Sequence, residues 1–250
     1  MNRDLRADGS PFFTEETATV LPSPHDPVTA ALLHGRTVAA EELRLLVAKL
    51  QRINEARPAR CIGVLSATGG EGKTTLAIGL AAALAAEPDR RVLLLEMDLR
   101  KPAIEAYLGL SPQPGVGEWL RGVSPGPMRL RWVAPPGFAL LVGGRAGLER
   151  PALLGTRRMS ALFEAARQAF DFVIVDCPPI TPVSDAALIQ DLLDGFLFLV
   201  RARHSPRDVV MNAASRLKGD RILGTVFNEL RDAPSYYYGY GVSETSAPEP

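Results

Sequence analysis

The chain has 250 residues, of which 46% are hydrophobic, and Lys+Arg and Asp+Glu are both 28. That length and apolar share exclude a wholly disordered chain and fit one large domain with appendages. The zero net charge gives no basic excess for nucleic acid to recognise, and the two cysteines, Cys61 and Cys177, make no disulfide framework.

In chain order, residues 1–36 read as a mobile N-terminal arm, polar and Pro-rich at first, with no apolar period. From Thr37 to about Glu55, Leu43, Leu46, Val47, Leu50 and Ile53 recur at helical spacing, and Pro58 closes the helix. Residues 61–67 form a short apolar run that suits a buried parallel strand, and a strong helix former follows over 74–86. Residues 91–98 read as a second strand, with Pro102 as the first residue of the next helix. Residues 111–137 are rich in Pro and Gly, with a short helix around residues 115–122.

A third strand is expected over 138–144, a helix over 151–170, and a strand over 171–176. Helix over 184–193, strand over 195–202, capped helix over 205–219 and strand over 221–228 complete the series. The domain reading is therefore 37–230, with 231–250 as a flexible tyrosine-rich tail. Strands alternating with helices give an α/β fold, a mostly parallel central sheet flanked by helices, with ligands at the carboxyl ends of the strands. The longest apolar runs fall short of the roughly 20 residues that a membrane helix needs, so a soluble, cytoplasmic chain is expected.

Three polar clusters fall at those strand ends. Residues 67–75 fit the phosphate-loop pattern Gly/Ala-x-x-x-x-Gly-Lys-Ser/Thr, opened by Ala67 and closed by Gly72, Lys73 and Thr74. Gly69, Gly70 and Gly72 let backbone N–H groups turn toward an anion at a helix N-terminus. Lys73 is placed to reach phosphates, and the Thr74 hydroxyl to bind Mg²⁺. Asp176 emerges after four apolar residues, as an acid that holds Mg²⁺ through water would. Glu96 and Asp98, two apart, share a strand face, which suits one metal ligand and one general base. Four of the five tyrosines, Tyr236, Tyr237, Tyr238 and Tyr240, crowd into the tail. The three histidines, His25, His34 and His204, show no metal-ligand spacing.

Together these motifs resemble the bacterial tyrosine kinases of capsule and exopolysaccharide synthesis, from about Glu41 to Tyr240. Ser66 to Thr75 matches the family's S-x-x-x-G-E-G-K-S/T-T loop, and Glu96 to Pro102 approximates D-x-D-x-R-x-P. Asp176 to Pro179 matches D-x-P-P, Ser184-Asp185-Ala186 matches S-D-A, and a strand ends at Asn228 before the tyrosines. The resemblance implies a P-loop NTPase architecture of the MinD/ParA kind and an ATP- and Mg²⁺-dependent tyrosine autokinase. Its catalytic residues would be Lys73, Glu96, Asp98 and Asp176, with Glu96 helping to deprotonate tyrosine. Its metal residues would be Thr74, Asp98 and Asp176. Nucleotide would be held by Thr68, Gly69, Gly70, Glu71, Gly72, Lys73, Thr74 and Thr75, with Asn228 by the adenine. The phosphoacceptors would be Tyr236, Tyr237, Tyr238 and Tyr240.

The resemblance also implies a separate membrane-embedded chain-length regulator as activator, a homo-oligomer, a cognate tyrosine phosphatase, and a location at the inner face of the membrane through that partner. This sequence carries Glu96 where the family has Asp. The family's ring pattern E-x-x-R-x-x-R runs Glu41, Arg44, Val47 here. A second reading of the motifs is a MinD/ParA-like ATPase switch, although Thr68 stands where those proteins carry an extra lysine. A catalytically weak, ATP-binding adaptor of a polysaccharide export complex is the third reading.

Overall fold

The computed structural model describes residues 12–24, 26–34, 37–124, 126–145, 150–181 and 185–229. Eight strands form one sheet: β1 (Phe13–Val20), β2 (Cys61–Ser66), β3 (Val92–Glu96), β4 (Met128–Val133), β5 (Phe138–Leu141), β6 (Phe172–Asp176), β7 (Gly195–Arg201) and β8 (Ile222–Asn228). Their order is β1-β4-β5-β3-β6-β2-β7-β8. Every neighbouring pair is parallel except β4 with β5.

The central strands are buried on both faces, which explains their unbroken apolar runs. Successive residues serve opposite sides. Leu93 and Leu95 join a core with helices α5 (Val116–Leu120), α7 (Arg157–Ala169) and α8 (Asp185–Gln190). Val92 and Leu94 join a second core with α1 (Pro27–His34), α2 (Val38–Ala56), α3 (Lys73–Ala85) and α4 (Ile104–Leu108). Two further helices are α6 (Arg150–Leu154) and α9 (Arg207–Ser215).

The α2 helix starts at Thr37, whose hydroxyl accepts from the Ala40 amide. It buries Leu43, Val47 and Leu50, each contributing about 1.5–3 kcal/mol through apolar burial. Leu32 of α1 and Leu43 of α2 press so closely on α3 that a Cβ at Gly79 would collide with Leu43.

Several expectations need correction. The stretch 1–36 is not wholly an arm: β1 pairs with β4, and α1 packs on α3. β1 has few apolar residues, so its place comes from pairing with a distant strand rather than from its own pattern. The α1 start is a local signal: Asp26 accepts from the Thr29 amide and hydroxyl, both at 2.7 Å, and Pro27 opens the helix. β4 arises inside the stretch read as Pro/Gly-rich connection and adds the antiparallel pair. The helix expected over 151–170 is two, because Thr156 caps a fresh start at α7. The helix expected at Pro102 begins at Ile104. The tail tyrosines Tyr236, Tyr237, Tyr238 and Tyr240, with Ser184 and His25, lie outside the described residues.

Candidate nucleotide site

Parallel register gathers the strand ends. Val64 of β2 and Glu96 of β3 both stand opposite Asp176 of β6, so three chain segments meet at one edge. The loop from Ala67 to Gly72 crosses that edge and enters α3. Gly70 and Gly72 take φ of 77° and 99°, the left-handed region that a side chain resists. At Gly72 a Cβ would also run into the Asn228 amide. The loop thus presents backbone N–H groups at a helix start, the usual cradle for phosphate.

The Lys73 ammonium lies under this loop, 3.0 Å from Ser66 Oγ and 3.3 Å from the Thr68 carbonyl, donating to both. Burial lowers its pKa, opposed chiefly by the Asp176 charge. The Thr74 hydroxyl donates to Asp176 Oδ2 at 2.8 Å. Asp176 Oδ1 is buried and has no hydrogen-bond partner among the described residues. Burial pushes the Asp176 carboxyl up to about 7, against the Thr74 hydrogen bond that lowers it.

An orphaned carboxylate oxygen beside a hydroxyl is the donor chemistry of a hard divalent cation. No group of three His, Cys, Asp or Glu residues could hold a metal by itself among the described residues. Mg²⁺ fits this pattern, because it uses one or two carboxylates together with substrate phosphates. Asp98 is half-buried, and its Oδ1 accepts from the Lys101 amide at 3.1 Å.

Glu96, expected to help deprotonate tyrosine, is enclosed by backbone amides. Its side chain is 1% exposed. Oε1 accepts from the Ala103 amide and, at 2.8 Å, from the Ile104 amide; Oε2 accepts from the Gly143 amide at 2.8 Å. Both oxygens are therefore committed to the start of α4 and the end of β5. Burial raises its pKa, and the three amides oppose that rise. Glu96 is a buried latch, and the extra methylene relative to aspartate lets it reach those amides.

The Glu71 side chain also turns into protein rather than toward the cradle, since it is fully buried. Asn228 donates to the Glu71 carbonyl at 2.9 Å, so it lies against the loop. Gly69, Gly70 and Thr75 stand on the loop and the first turn of α3, as expected from the motif.

Sequence reasoning missed several contributors. Arg100 grips Asp185 with two hydrogen bonds, of 2.6 and 3.0 Å, tying the β3–α4 loop to α8. His204 Nε2 lies 2.9 Å from the Gly69 carbonyl, and Arg201 donates to the Gly70 carbonyl at 3.0 Å. Ser205, read as a helix cap, bonds to the phosphate loop instead. Arg100 and Asp185 carried a signal, because both sit within the motifs; His204 and Ser205 carried none.

Residues 62–235 match the model of the "CobQ/CobB/MinD/ParA nucleotide binding domain". The chain belongs to this family. Several of its relatives are named tyrosine-protein kinases. The tyrosine-protein kinase YwqD of Bacillus subtilis is 26% identical over 84% of this chain and 89% of its own. The succinoglycan biosynthesis transport protein ExoP of Rhizobium meliloti is 32% identical over 78% of this chain, which spans only 25% of ExoP. Among solved structures, the kinase domain of the Escherichia coli tyrosine kinase ETK matches with a TM-score of 0.71 at 27% identity, covering 85% of this chain and 84% of that one. No helix among the described residues is long and apolar enough to cross a membrane.

Proposed function

We propose that the chain is an ATP-dependent protein-tyrosine autokinase that phosphorylates its own tyrosine cluster and regulates capsular or exopolysaccharide synthesis and export. The observation that carries phosphoryl transfer is the Thr74–Asp176 pair with its unpartnered Oδ1 at the mouth of the phosphate loop. Relatives named as tyrosine kinases support tyrosine as the acceptor.

Mg²⁺, when bound with ATP, neutralises phosphate charge as the γ-phosphoryl leaves. Thr74 and Asp176 would hold it, with Asp98 beside them. The loop amides from Gly69 to Thr74 and the Lys73 ammonium orient the phosphates. Thr75 and Asn228 complete the nucleotide contacts.

A tyrosine hydroxyl, with a pKa of about 10, transfers poorly while protonated. Asp98 is the carboxylate suited to receive that proton: only its Oδ1 is engaged among the described residues, whereas both oxygens of Glu96 are occupied. Tyr236, Tyr237, Tyr238 and Tyr240 are the proposed acceptors, presented to a neighbouring subunit of a homo-oligomer. A membrane-embedded chain-length regulator as activator and a cognate phosphatase complete the proposed setting, with the kinase held at the inner face of the membrane.

Mass spectrometry of the tail tests this reading. The protein is expressed alone and fused to the cytoplasmic end of its regulator, with Lys73→Met as control. Phosphate on the tyrosine cluster that vanishes in the control is expected. Intact ATP binding with no phosphotyrosine in either format would reject the kinase in favour of a switch or an adaptor.

A further inference from the structure

Glu71 is a fully buried carboxylate inside the phosphate loop, and none of the chemistry above uses it. Its Oε1 accepts from the Thr68 amide at 2.9 Å, the Thr68 hydroxyl at 2.8 Å and the Ser205 hydroxyl at 2.9 Å. Oε2 accepts from the Arg201 amide at 3.3 Å. The Thr68 and Ser205 hydroxyls are themselves 2.7 Å apart. The carboxylate is satisfied by donors from two segments far apart in sequence.

The second segment is the end of β7 and the turn into α9. It touches the loop at two further points, His204 at the Gly69 carbonyl and Arg201 at the Gly70 carbonyl, and β8 adds Asn228 at the Glu71 carbonyl. A cavity of about 280 Å³ opens on this segment, lined by Arg201, Ala202, Arg203, His204 and Glu229. Arg203 and Glu229 hold φ of 58° and 55°, a conformation non-glycine residues rarely adopt unless their surroundings impose it.

We infer that Glu71 is a positioning residue: through Ser205 its carboxylate locks the phosphate loop to the β7–α9 turn, and so sets the loop's affinity for phosphate. Ser205 acts on phosphate only through Glu71 and Thr68, from outside the loop. The inference rests on the nucleotide reading of the loop and is independent of the phosphoryl acceptor.

The test is calorimetric titration of Mg²⁺-tripolyphosphate, a ligand with no base to touch the turn, alongside Mg²⁺-ATP. Ser205→Ala is expected to weaken tripolyphosphate about tenfold, the loss of one hydrogen bond to a charged acceptor. Ser205→Thr, which keeps the hydroxyl, restores most of it. Glu71→Ala weakens binding at least as much, and Ser205→Ala added to it costs nothing further, because the two act as one unit. If Glu71→Ala does not fold, the Ser205 pair carries the test alone.

A role confined to stability would lower the unfolding temperature of Ser205→Ala and leave its tripolyphosphate affinity within about twofold of wild type; that result, or additive losses in the double variant, overturns the proposal. So does a wild type that binds ATP but not tripolyphosphate, since a locked loop holds phosphate without a base. Absence of tail phosphorylation in the wild type, with Ser205→Ala still weakening tripolyphosphate about tenfold, counts against the kinase reading and leaves this inference standing.

Discussion

Asp176→Asn separates the cost of a buried carboxylate from its use. Asp176 is 1% exposed, and burial lifts its pKa from 3.8 to about 7. The unfolded chain releases this proton near 3.8, so between pH 4 and 7 the folded state binds more protons than the unfolded. Stability must therefore fall as pH rises through that window and level off above it. A shift of about three units at about 1.4 kcal/mol each gives a total near 4 kcal/mol. Roughly 2.5 kcal/mol of that lies between pH 5 and 8.

Urea unfolding in EDTA at pH 5, 6, 7 and 8 reads the effect directly. Wild type is expected to lose about 2.5 kcal/mol across the series relative to Asp176→Asn. Asparagine keeps an acceptor for the Thr74 hydroxyl but carries no charge. At pH 8 the variant is the more stable protein without ligand, while its Mg²⁺-ATP affinity collapses. Parallel pH profiles for the two proteins would refute the assignment of Asp176 as a carboxylate held at a cost for its ligand.

Glu96→Ala should lower the stability by about 3 kcal/mol or more, because three buried amides lose their acceptor at about 1–3 kcal/mol each; urea denaturation within about 0.5 kcal/mol of wild type would restore Glu96 as a free base. Val47→Arg completes the family's ring pattern on paper, yet Val47 is 4% exposed in the α2 core face. It should cost about 3–5 kcal/mol through an unpaired buried charge, and a rise in oligomer mass by light scattering at unchanged stability would contradict that.

The site was legible where it is local. A phosphate loop needs its glycines, Lys73 and Thr74 at fixed spacing on one continuous strand–loop–helix, so residues 67–75 announce it. Asp176 was legible because an acid closing an apolar run lands at a strand tip. Glu96 misled for the same reason: its place at a tip was correct, but which groups its oxygens meet depends on Gly143, brought in by β5. Val47 looked like a lost arginine in the ring pattern, whereas the α2–α3 contact makes it a core residue.

The sequence by itself determined the α/β alternation, the phosphate loop and the acids at the strand ends, because each is a property of one short segment. Only the tertiary structure decided the edge strand β1, the antiparallel β4–β5 pair, the Arg100–Asp185 bridge and the joining of Glu71 to Ser205. Those are contacts between segments distant in the chain. A strand's edge partner or a buried carboxylate's donors are chosen by whichever groups the finished sheet brings within hydrogen-bond range, and no local pattern records that choice.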